Sequence, residues 1–184
     1  MECCSPKEKS TDPSYEKVIL IGNPNVGKSV IFNYLTGKYV TVSNYPGTTV
    51  EVAFGTMAAQ GKKLQVVDTP GINSLIPMSE DERVTRDILL HESQPHLVQV
   101  VDAKNLRRGL LISLQLLEMG LPFLILLNMW DEAKSRGITI QMQTLSEILG
   151  SPILKTVATR RKGLEKIKEN LDTRPPSSIS ITYP

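Results

Sequence analysis

Residues 22–29 carry the residue types and the spacing of a phosphate-binding loop. They read Gly-Asn-Pro-Asn-Val-Gly-Lys-Ser, which fits the P-loop pattern G-x-x-x-x-G-K-[ST], and they follow the apolar run 18–21. Glycine at the first and sixth positions lets successive backbone N–H groups turn inward around a phosphate. Lys28 can reach the β- and γ-phosphates of a nucleotide, and the Ser29 hydroxyl is a hard oxygen ligand suited to Mg²⁺. The residues expected to contact the nucleotide here are Gly22, Asn23, Pro24, Asn25, Val26, Gly27, Lys28, Ser29 and Val30.

A second motif, Asp68-Thr69-Pro70-Gly71, closes the apolar run 64–67. An aspartate at the carboxyl end of a strand can hold Mg²⁺ through a water, and Gly71 can bring its backbone N–H against a γ-phosphate because no side chain blocks the approach. Alone, this tetrapeptide could be an ordinary turn after a strand. It follows the P-loop at the spacing expected of a GTPase, so we predict that Asp68, Thr69, Pro70 and Gly71 belong to the nucleotide site.

A third motif, Asn128-Met129-Trp130-Asp131, follows the most apolar run of the chain, residues 123–127. The Asp131 carboxylate can accept hydrogen bonds from N1–H and from the N2 amino group of guanine, whereas adenine offers neither donor. A site built around such a bond rejects the analogue that lacks it by about 10⁴–10⁵-fold. In isolation the pattern could instead be a helix N-cap or an Asx turn. Behind a buried strand and a P-loop, it predicts GTP as the nucleotide, with the Met129 side chain able to cover the base.

A fourth element, Val157-Ala158-Thr159, follows the strand-like residues 153–156. In GTPases a loop at this place supplies a backbone N–H to guanine O6, commonly from a Ser-Ala pair. Val157 replaces the serine, so one side-chain hydrogen bond that usually stiffens the loop is missing. Residues 159–163 are then either a mobile base-contacting loop or a solvated basic turn. We favour a loop that binds the base weakly and speeds nucleotide release.

One expected catalytic side chain is missing after Gly71. Ile72 occupies the position where Ras-like proteins have a glutamine that orients the attacking water. Isoleucine cannot orient water, so hydrolysis would depend on backbone groups of the switch loops, on an outside residue or on a bound cation. We therefore predict slow intrinsic turnover, below the range of about 1–100 s⁻¹ typical of kinases.

The composition fits one α/β domain. The chain has 184 residues, with 21 lysines and arginines against 19 aspartates and glutamates, for a formal charge of +2. The charges form no broad basic field of the kind that would indicate a nucleic-acid partner. The adjacent Cys3 and Cys4 provide no disulfide framework, and no partner ligands lie near them for a metal. No apolar run approaches the ~18–20 residues of a membrane-spanning helix, so we expect no direct membrane insertion.

Strands and helices alternate along the chain. Continuous apolar strands alternating with helices predict a mostly parallel sheet covered on both faces, and residues 50–59 and 63–68 read as a β-hairpin. Together with the four motifs, this predicts a Ras-like P-loop GTPase fold, with a mostly parallel six-stranded sheet, one antiparallel strand and helices on both faces. The predicted strands are 18–21, 50–59, 63–68, 97–101, 123–127 and 153–157, and the predicted helices are 29–36, 79–92, 106–119, 145–149 and 164–171. Residues 37–48 are expected to form a loop. The predicted organisation is a flexible leader (1–16), a G domain (17–172) and a C-terminal tail (173–184).

The chain resembles the cytosolic G domain of FeoB, the bacterial ferrous-iron transporter family. The resemblance covers about residues 17–172 and depends on stretches longer than the GTPase motifs. Two of these are Val-Ser-Asn-Tyr-Pro-Gly-Thr-Thr-Val-Glu (42–51) and Ser-Glu-Asp-Glu-Arg-Val-Thr-Arg-Asp (79–87). The others are residues 22–29, 68–75, 100–103, 105–106 and 128–131.

The resemblance implies further site residues. Thr49 would be the first-switch threonine that completes the Mg²⁺ shell with Ser29 and Asp68 when GTP is bound, and Gly47 and Thr48 would lie beside it. Asn25 matches the asparagine that coordinates K⁺ in cation-activated GTPases, where K⁺ places positive charge between the phosphates. From the residues alone, Thr49 could be a strand-edge threonine and Asn25 could bond its own backbone. The implied catalytic set is Asn25, Lys28, Thr49 and Gly71.

The resemblance also implies partners and a location. FeoB proteins continue into a helical regulatory domain and a membrane permease domain, and small accessory iron-transport proteins are further candidate partners. The implied place is the cytoplasmic face of the bacterial inner membrane. Two alternatives remain from the residues: a soluble regulatory or ribosome-associated GTPase, and a nucleotide-dependent scaffold without significant turnover. Intact Lys28, Ser29, Thr49 and Asp68 favour catalysis over the scaffold.

Overall fold

A seven-stranded sheet forms the centre of the computed structural model, which describes residues 15–37, 40–59, 61–92 and 94–171. The strands are β1 (Lys17–Gly22), β2 (Val40–Asn44), β3 (Glu51–Ala59), β4 (Lys62–Asp68), β5 (His96–Asp102), β6 (Phe123–Asn128) and β7 (Ile153–Lys155). Their spatial order is β2-β3-β4-β1-β5-β6-β7. β3 pairs antiparallel with both its neighbours, and all other pairings are parallel. The predicted fold class and its one antiparallel strand are confirmed.

The prediction of six strands is wrong, because β2 lies inside the segment 37–48 that was expected to be a loop. Its residues pair with β3 from Val40↔Gly55 to Asn44↔Glu51, and all five are exposed. Val42 is 56% exposed. An edge strand with no buried face carries no apolar–polar alternation, so only the pairing itself reveals it.

Six helices surround the sheet in the described part of the chain. They are α1 (Lys28–Thr36), α2 (Glu80–His91), α3 (Leu106–Glu118), α4 (Trp130–Ser135), α5 (Met142–Leu149) and α6 (Ile167–Asn170). One buried cluster joins the sheet to α2 and α3, through residues such as Val84 and Ile112, and a second joins it to α1 and α6 through Ile31 and Ile167. The sheet is therefore covered on both faces, as a mostly parallel sheet requires.

Helix boundaries differ most from the predictions in three short helices that each bury a single residue. The six-residue α4 was not predicted, because Trp-Asp-Glu-Ala-Lys-Ser buries only Ala133 and shows no apolar stripe. α5 begins at Met142 rather than at residue 145, and α6 covers only Ile167–Asn170 of the predicted 164–171. α2 is well marked, since Ser79 caps it through a bond from the Glu82 N–H and acidic residues fill its first turn.

The parallel strands bring the sequence motifs to one edge of the sheet. β1 ends at Gly22 beside β5, β4 ends at Asp68 beside β1, and β6 ends at Asn128 beside Asp102. The carboxyl edge of such a sheet is the usual place for ligand-binding loops. All four motif loops therefore start from the same side of the fold.

The remaining sequence predictions concern membrane insertion and the two ends of the chain. No helix of the described residues is long and apolar enough to cross a membrane. Cys3, Cys4 and nearly all of the predicted leader lie outside the described residues, as does the predicted tail 173–184.

Candidate nucleotide-binding site

The P-loop is packed so tightly that two of its residues have to be glycines. A Cβ at Gly22 would lie 2.3 Å from the carbonyl oxygen of Val100 on β5. A Cβ at Gly27 would lie 2.4 Å from Nδ2 of Asn128, and the φ of Gly27 is 91°. Asn25 also has a positive φ, 64°, and is exposed. The loop is thus clamped between β5 and the third motif, with Asn25 on its outer side.

Lys28 and Asp68 form a buried ion pair at the start of α1. Their Nζ and Oδ1 atoms are 3.6 Å apart, and each side chain is only 9% exposed. Oδ1 of Asp68 has no hydrogen-bond partner among the described residues. A buried carboxylate oxygen without a partner is costly. A hydrated cation would satisfy it, and the exposed Ser29 hydroxyl, next to Lys28, supplies a second hard oxygen, so the residues present fit Mg²⁺.

The second motif lies directly against the P-loop. Asn23 donates from Nδ2 to the carbonyl oxygen of Ile72 at 3.0 Å, and the Ile72 N–H donates to the carbonyl of Gly22 at 3.0 Å. Thr69 donates its hydroxyl to Leu20 O on β1 at 2.9 Å. A Cβ at Gly71 would lie 2.9 Å from Cα of Pro24, so only glycine fits there.

Ile72 itself is a core residue. It is 1% exposed and belongs to the cluster that joins the sheet to α2 and α3. Its side chain therefore has no access to a substrate. This agrees with the inference that no side chain at this position orients water.

Three side chains that the sequence reasoning missed hold residues 73–78. Glu82 of α2 accepts from the N–H groups of Met78 at 2.9 Å and Asn73 at 3.3 Å. Gln115 of α3 accepts from the Leu75 N–H at 2.8 Å and donates to the Ser74 hydroxyl at 2.9 Å. Arg108, also of α3, donates to Oδ1 of Asn73 at 2.6 Å. Glu82 and Gln115 are polar residues on helix faces that pack inward. That placement is the one feature of the sequence that points to their structural role.

The hydrogen bonds to Glu82 also lower the pKa of its carboxyl group. The Met78 N–H is the main cause that lowers the pKa of the Glu82 carboxyl below its ordinary value of 4.5, against the opposing effect of burial, with further lowering by the Asn73 N–H. A carboxylate that accepts several backbone N–H bonds is stabilised in its charged form. Glu82 therefore holds the segment as a charged acceptor.

Asn128 links the P-loop to the loop after β7. Its Nδ2 donates to the carbonyl of Val26 at 2.8 Å, and its Oδ1 accepts from the Ala158 N–H at 2.9 Å and from the Thr156 hydroxyl at 3.3 Å. The residue is 3% exposed. Its amide thus organises two of the loops that were expected to surround a nucleotide.

Asp131 begins α4 with Trp130, and its carboxylate is partly accessible. Oδ1 accepts from the Glu132 N–H at 3.0 Å, and Oδ2 lies 3.7 Å from Nη1 of Arg160. The side chain is 35% exposed. Met129 before the helix has a φ of 58°. Trp130 lies under Lys155, whose Nζ is 4.7 Å from the ring centroid.

The fourth motif forms a closed turn. Val157 and Lys162 exchange two backbone hydrogen bonds, of 3.0 Å and 3.2 Å. Gly163 completes the turn with a φ of 78°, and a Cβ there would lie 2.1 Å from the carbonyl oxygen of Lys155. Ala158 is buried, whereas Thr159 and Arg160 are exposed. The structure therefore contains a solvated basic turn beside Asp131, and the predicted weak hold on the base stays a prediction.

Among the described residues, the Thr49 hydroxyl contacts the start of α2. Thr49 is exposed, and its hydroxyl bonds to Oε2 of Glu80 at 3.4 Å. The turn before it is closed by the Thr48 hydroxyl, which donates to Tyr45 O at 2.9 Å and accepts from the Val50 N–H at 3.2 Å. Because Val50 faces the core, its neighbour Thr49 faces outward. The role of Thr49 on Mg²⁺, with Gly47 and Thr48 beside it, stays a prediction.

A family model described as ferrous iron transport protein B matches residues 16–171. The chain belongs to the FeoB family. Its relatives include a fusion of Fe(2+) transport protein A with FeoB in Porphyromonas gingivalis, 44% identical over 84% of this chain and 18% of that protein. FeoB of Escherichia coli K12 is 41% identical over 83% of this chain and 20% of that protein. The chain thus spans about a fifth of the curated FeoB relatives it matches.

Solved FeoB structures share the fold. A mutant NFeoB of S. thermophilus bound to GDP has a TM-score of 0.82 and 38% identity, over 90% of this chain and 64% of that one. The cytosolic domain of T. maritima FeoB in its GMPPNP form has a TM-score of 0.80 and 38% identity, over 85% and 62%. These matches confirm both the resemblance to FeoB G domains and the P-loop GTPase fold.

Proposed function

We propose that this chain binds GTP and hydrolyses it to GDP and phosphate as the switch domain of a ferrous iron transport protein. The observation that carries the proposal is the buried Lys28–Asp68 ion pair at the start of the P-loop helix, in which Oδ1 of Asp68 has no hydrogen-bond partner among the described residues. A buried lysine at the start of the P-loop helix, beside a carboxylate oxygen without a hydrogen bond among the described residues, suits a phosphate group and its cation. The GDP and GMPPNP complexes of similar FeoB domains support the same assignment.

Each residue has a separate task in the proposed reaction. Lys28 and the P-loop N–H groups bind the β- and γ-phosphates, and Gly71 presents its N–H to the γ-phosphate. Ser29 and Asp68 would hold Mg²⁺, joined by Thr49 when GTP is bound, and the ion would neutralise charge on the phosphate oxygens. Asp131 selects guanine by accepting from N1–H and N2–H.

The proposed rate is slow and depends on K⁺. Ile72 is buried and orients no water, so backbone groups of the switch loops would position the water, aided by the bound cation. Asn25, exposed on the outer side of the P-loop, would hold K⁺ through its amide oxygen. A cation there would compensate the charge that develops on the phosphates.

The whole-protein function is part of the same proposal. In the longer relatives the domain would act on a membrane permease domain, at the cytoplasmic face of the inner membrane, with accessory iron-transport proteins as further partners. The fusion with Fe(2+) transport protein A in P. gingivalis supports such an accessory partner. Rapid GDP release would follow from the turn at 157–162, which lacks the usual serine.

The first test measures GTP hydrolysis in KCl and in NaCl at matched ionic strength, for the wild-type chain, Asn25→Ala and the control Asn33→Ala. Asn33 is an exposed residue of α1. We expect K⁺ to stimulate the wild type and the control but not Asn25→Ala. Equal rates in the two salts would contradict the K⁺ role. GTP binding without turnover would favour a scaffold, and binding of neither GTP nor GDP would overturn the proposed function.

A further inference from the structure

The guanidinium of Arg108 is bound to the turn that follows Gly71. Its Nη2 donates to Oδ1 of Asn73 at 2.6 Å, across the gap between α3 and the second motif. Arg108 lies in the first turn of α3, where no acidic residue is present and where the helix dipole disfavours a positive charge. A positive charge at this position is thus unfavourable for the helix. Helix stability therefore does not account for Arg108, whereas its contact with Asn73 could.

The same amide oxygen connects Arg108 to the P-loop. Oδ1 of Asn73 also receives Nδ2 of Asn23 at 3.4 Å, and this Nδ2 donates to the carbonyl of Ile72 at 3.0 Å. The backbone N–H of Asn73 is held from the other side by Glu82 at 3.3 Å. The turn is therefore fixed by three elements at once: α3, α2 and the P-loop.

The position of this turn determines where the Gly71 N–H lies relative to a phosphate. Gly71 is so close to Pro24 that a Cβ would lie 2.9 Å from Cα of Pro24. With Ile72 buried, the proposed mechanism gives the backbone here the task that a glutamine side chain has in Ras-like GTPases. A small displacement of a positioned group can cost up to about 10²-fold in rate.

We propose that Arg108 is a positioning residue for GTP hydrolysis. It holds Asn73 so that the Gly71 N–H is aimed at the γ-phosphate. The inference deepens the proposed function and rests on it. Arg108 does not touch the nucleotide in this mechanism, so its loss reduces the rate of the chemical step and leaves GDP affinity unchanged.

The test compares single-turnover GTP hydrolysis and GDP affinity in three variants. Arg108→Gln removes the charge, Arg108→Lys keeps a donor, and Arg107→Gln is the matched control, an exposed neighbour in the same turn. We expect Arg108→Gln to hydrolyse GTP about tenfold more slowly, Arg108→Lys to recover part of the rate, and Arg107→Gln to match the wild type. GDP affinity should stay the same in all three, and none of them should melt well below the wild type.

A double-mutant cycle with Asn73→Ala separates positioning from general damage. If Arg108 acts through Asn73, the double variant is no slower than Asn73→Ala alone, because the contact is already lost. Additive losses, or an Arg108→Gln rate equal to that of Arg107→Gln, would overturn the inference. Failure of the wild type to hydrolyse GTP would instead count against the proposed function, which distinguishes the two.

Discussion

Asn128 donates its side-chain amide to the carbonyl oxygen of Val26 at 2.8 Å, joining residues 102 positions apart. The same side chain accepts from the Ala158 N–H at 2.9 Å, so the P-loop and the turn after β7 share one buried amide. Gly27 leaves the room for this amide, because a Cβ there would lie 2.4 Å from Nδ2. A residue expected to serve the base thus also builds the phosphate loop.

Replacement of Asn128 by alanine should destabilise the fold. Two buried backbone groups, Val26 C=O and Ala158 N–H, would lose their partner, at a cost of roughly 2–5 kcal/mol in the free energy of unfolding. The control Asn105→Ala removes an exposed amide bond to Asp102 and should cost far less. Denaturant unfolding measures both, and equal losses would contradict the structural role of Asn128.

The base preference should change when Asp131 becomes asparagine. The amide keeps an acceptor for N1–H but turns a donor toward the position of the guanine N2 group. GDP affinity should fall by about a hundredfold or more, whereas xanthosine diphosphate, with an oxygen at that position, should bind better than it binds the wild type. Calorimetric titration with both nucleotides gives the comparison. Unchanged preference would show that Asp131 does not read the base.

Arg160 should compete with guanine for Asp131. Its guanidinium lies 3.7 Å from Oδ2 in the structure, and the pair is exposed enough to be screened by salt. At low salt, Arg160→Gln should bind GDP about two- to fivefold more tightly than Arg161→Gln, which loses the same charge one residue further on. The difference should disappear in high salt. Equal affinities at low salt would mean that the ion pair does not oppose base binding.

Glu82 should make the stability of the domain depend on pH. Its pKa is lowered in the folded state, mainly by the Met78 N–H, so its stabilisation is fully present above the unfolded value near 4.5 and is lost as pH falls through the folded value. Glu82→Gln should therefore be less stable than the wild type at neutral pH, with the gap closing below about pH 4.5. Asp81→Asn, an exposed change in the same helical turn, is the control. A gap that stays constant with pH would exclude the ionised carboxylate as the cause.

The fold and the motif loops could be predicted because the signals are local. Gly22, Asp68 and Asn128 each end an apolar strand, and parallel strands align such ends at one edge whatever their order. β2 and α4 could not be predicted, because neither buries an apolar stripe. The contacts of Arg108 and Gln115 join residues 35 to 41 positions apart, which only the tertiary fold brings together. Glu82 bonds to Met78 and Asn73, four and nine positions away, through a loop conformation that residue types do not specify.

The position of Thr49 could not be predicted from the sequence for a different reason. The motif identifies the residue, but its placement depends on the turn at residues 45–50, where hydrogen bonds of Thr48 point Thr49 outward to Glu80. Residue types alone do not specify this placement, because it depends on hydrogen bonds that form only once the turn is folded.

Trp130 is the only tryptophan in the chain, and it lies between Met129 and Asp131 with a lysine ammonium over its ring. An indole in that position has an emission sensitive to any change in the charge and water around it. Binding of a base against Asp131 should therefore alter the intrinsic fluorescence of the domain. If the proposed nucleotide binds there, Trp130 would report its exchange in unlabelled protein in real time.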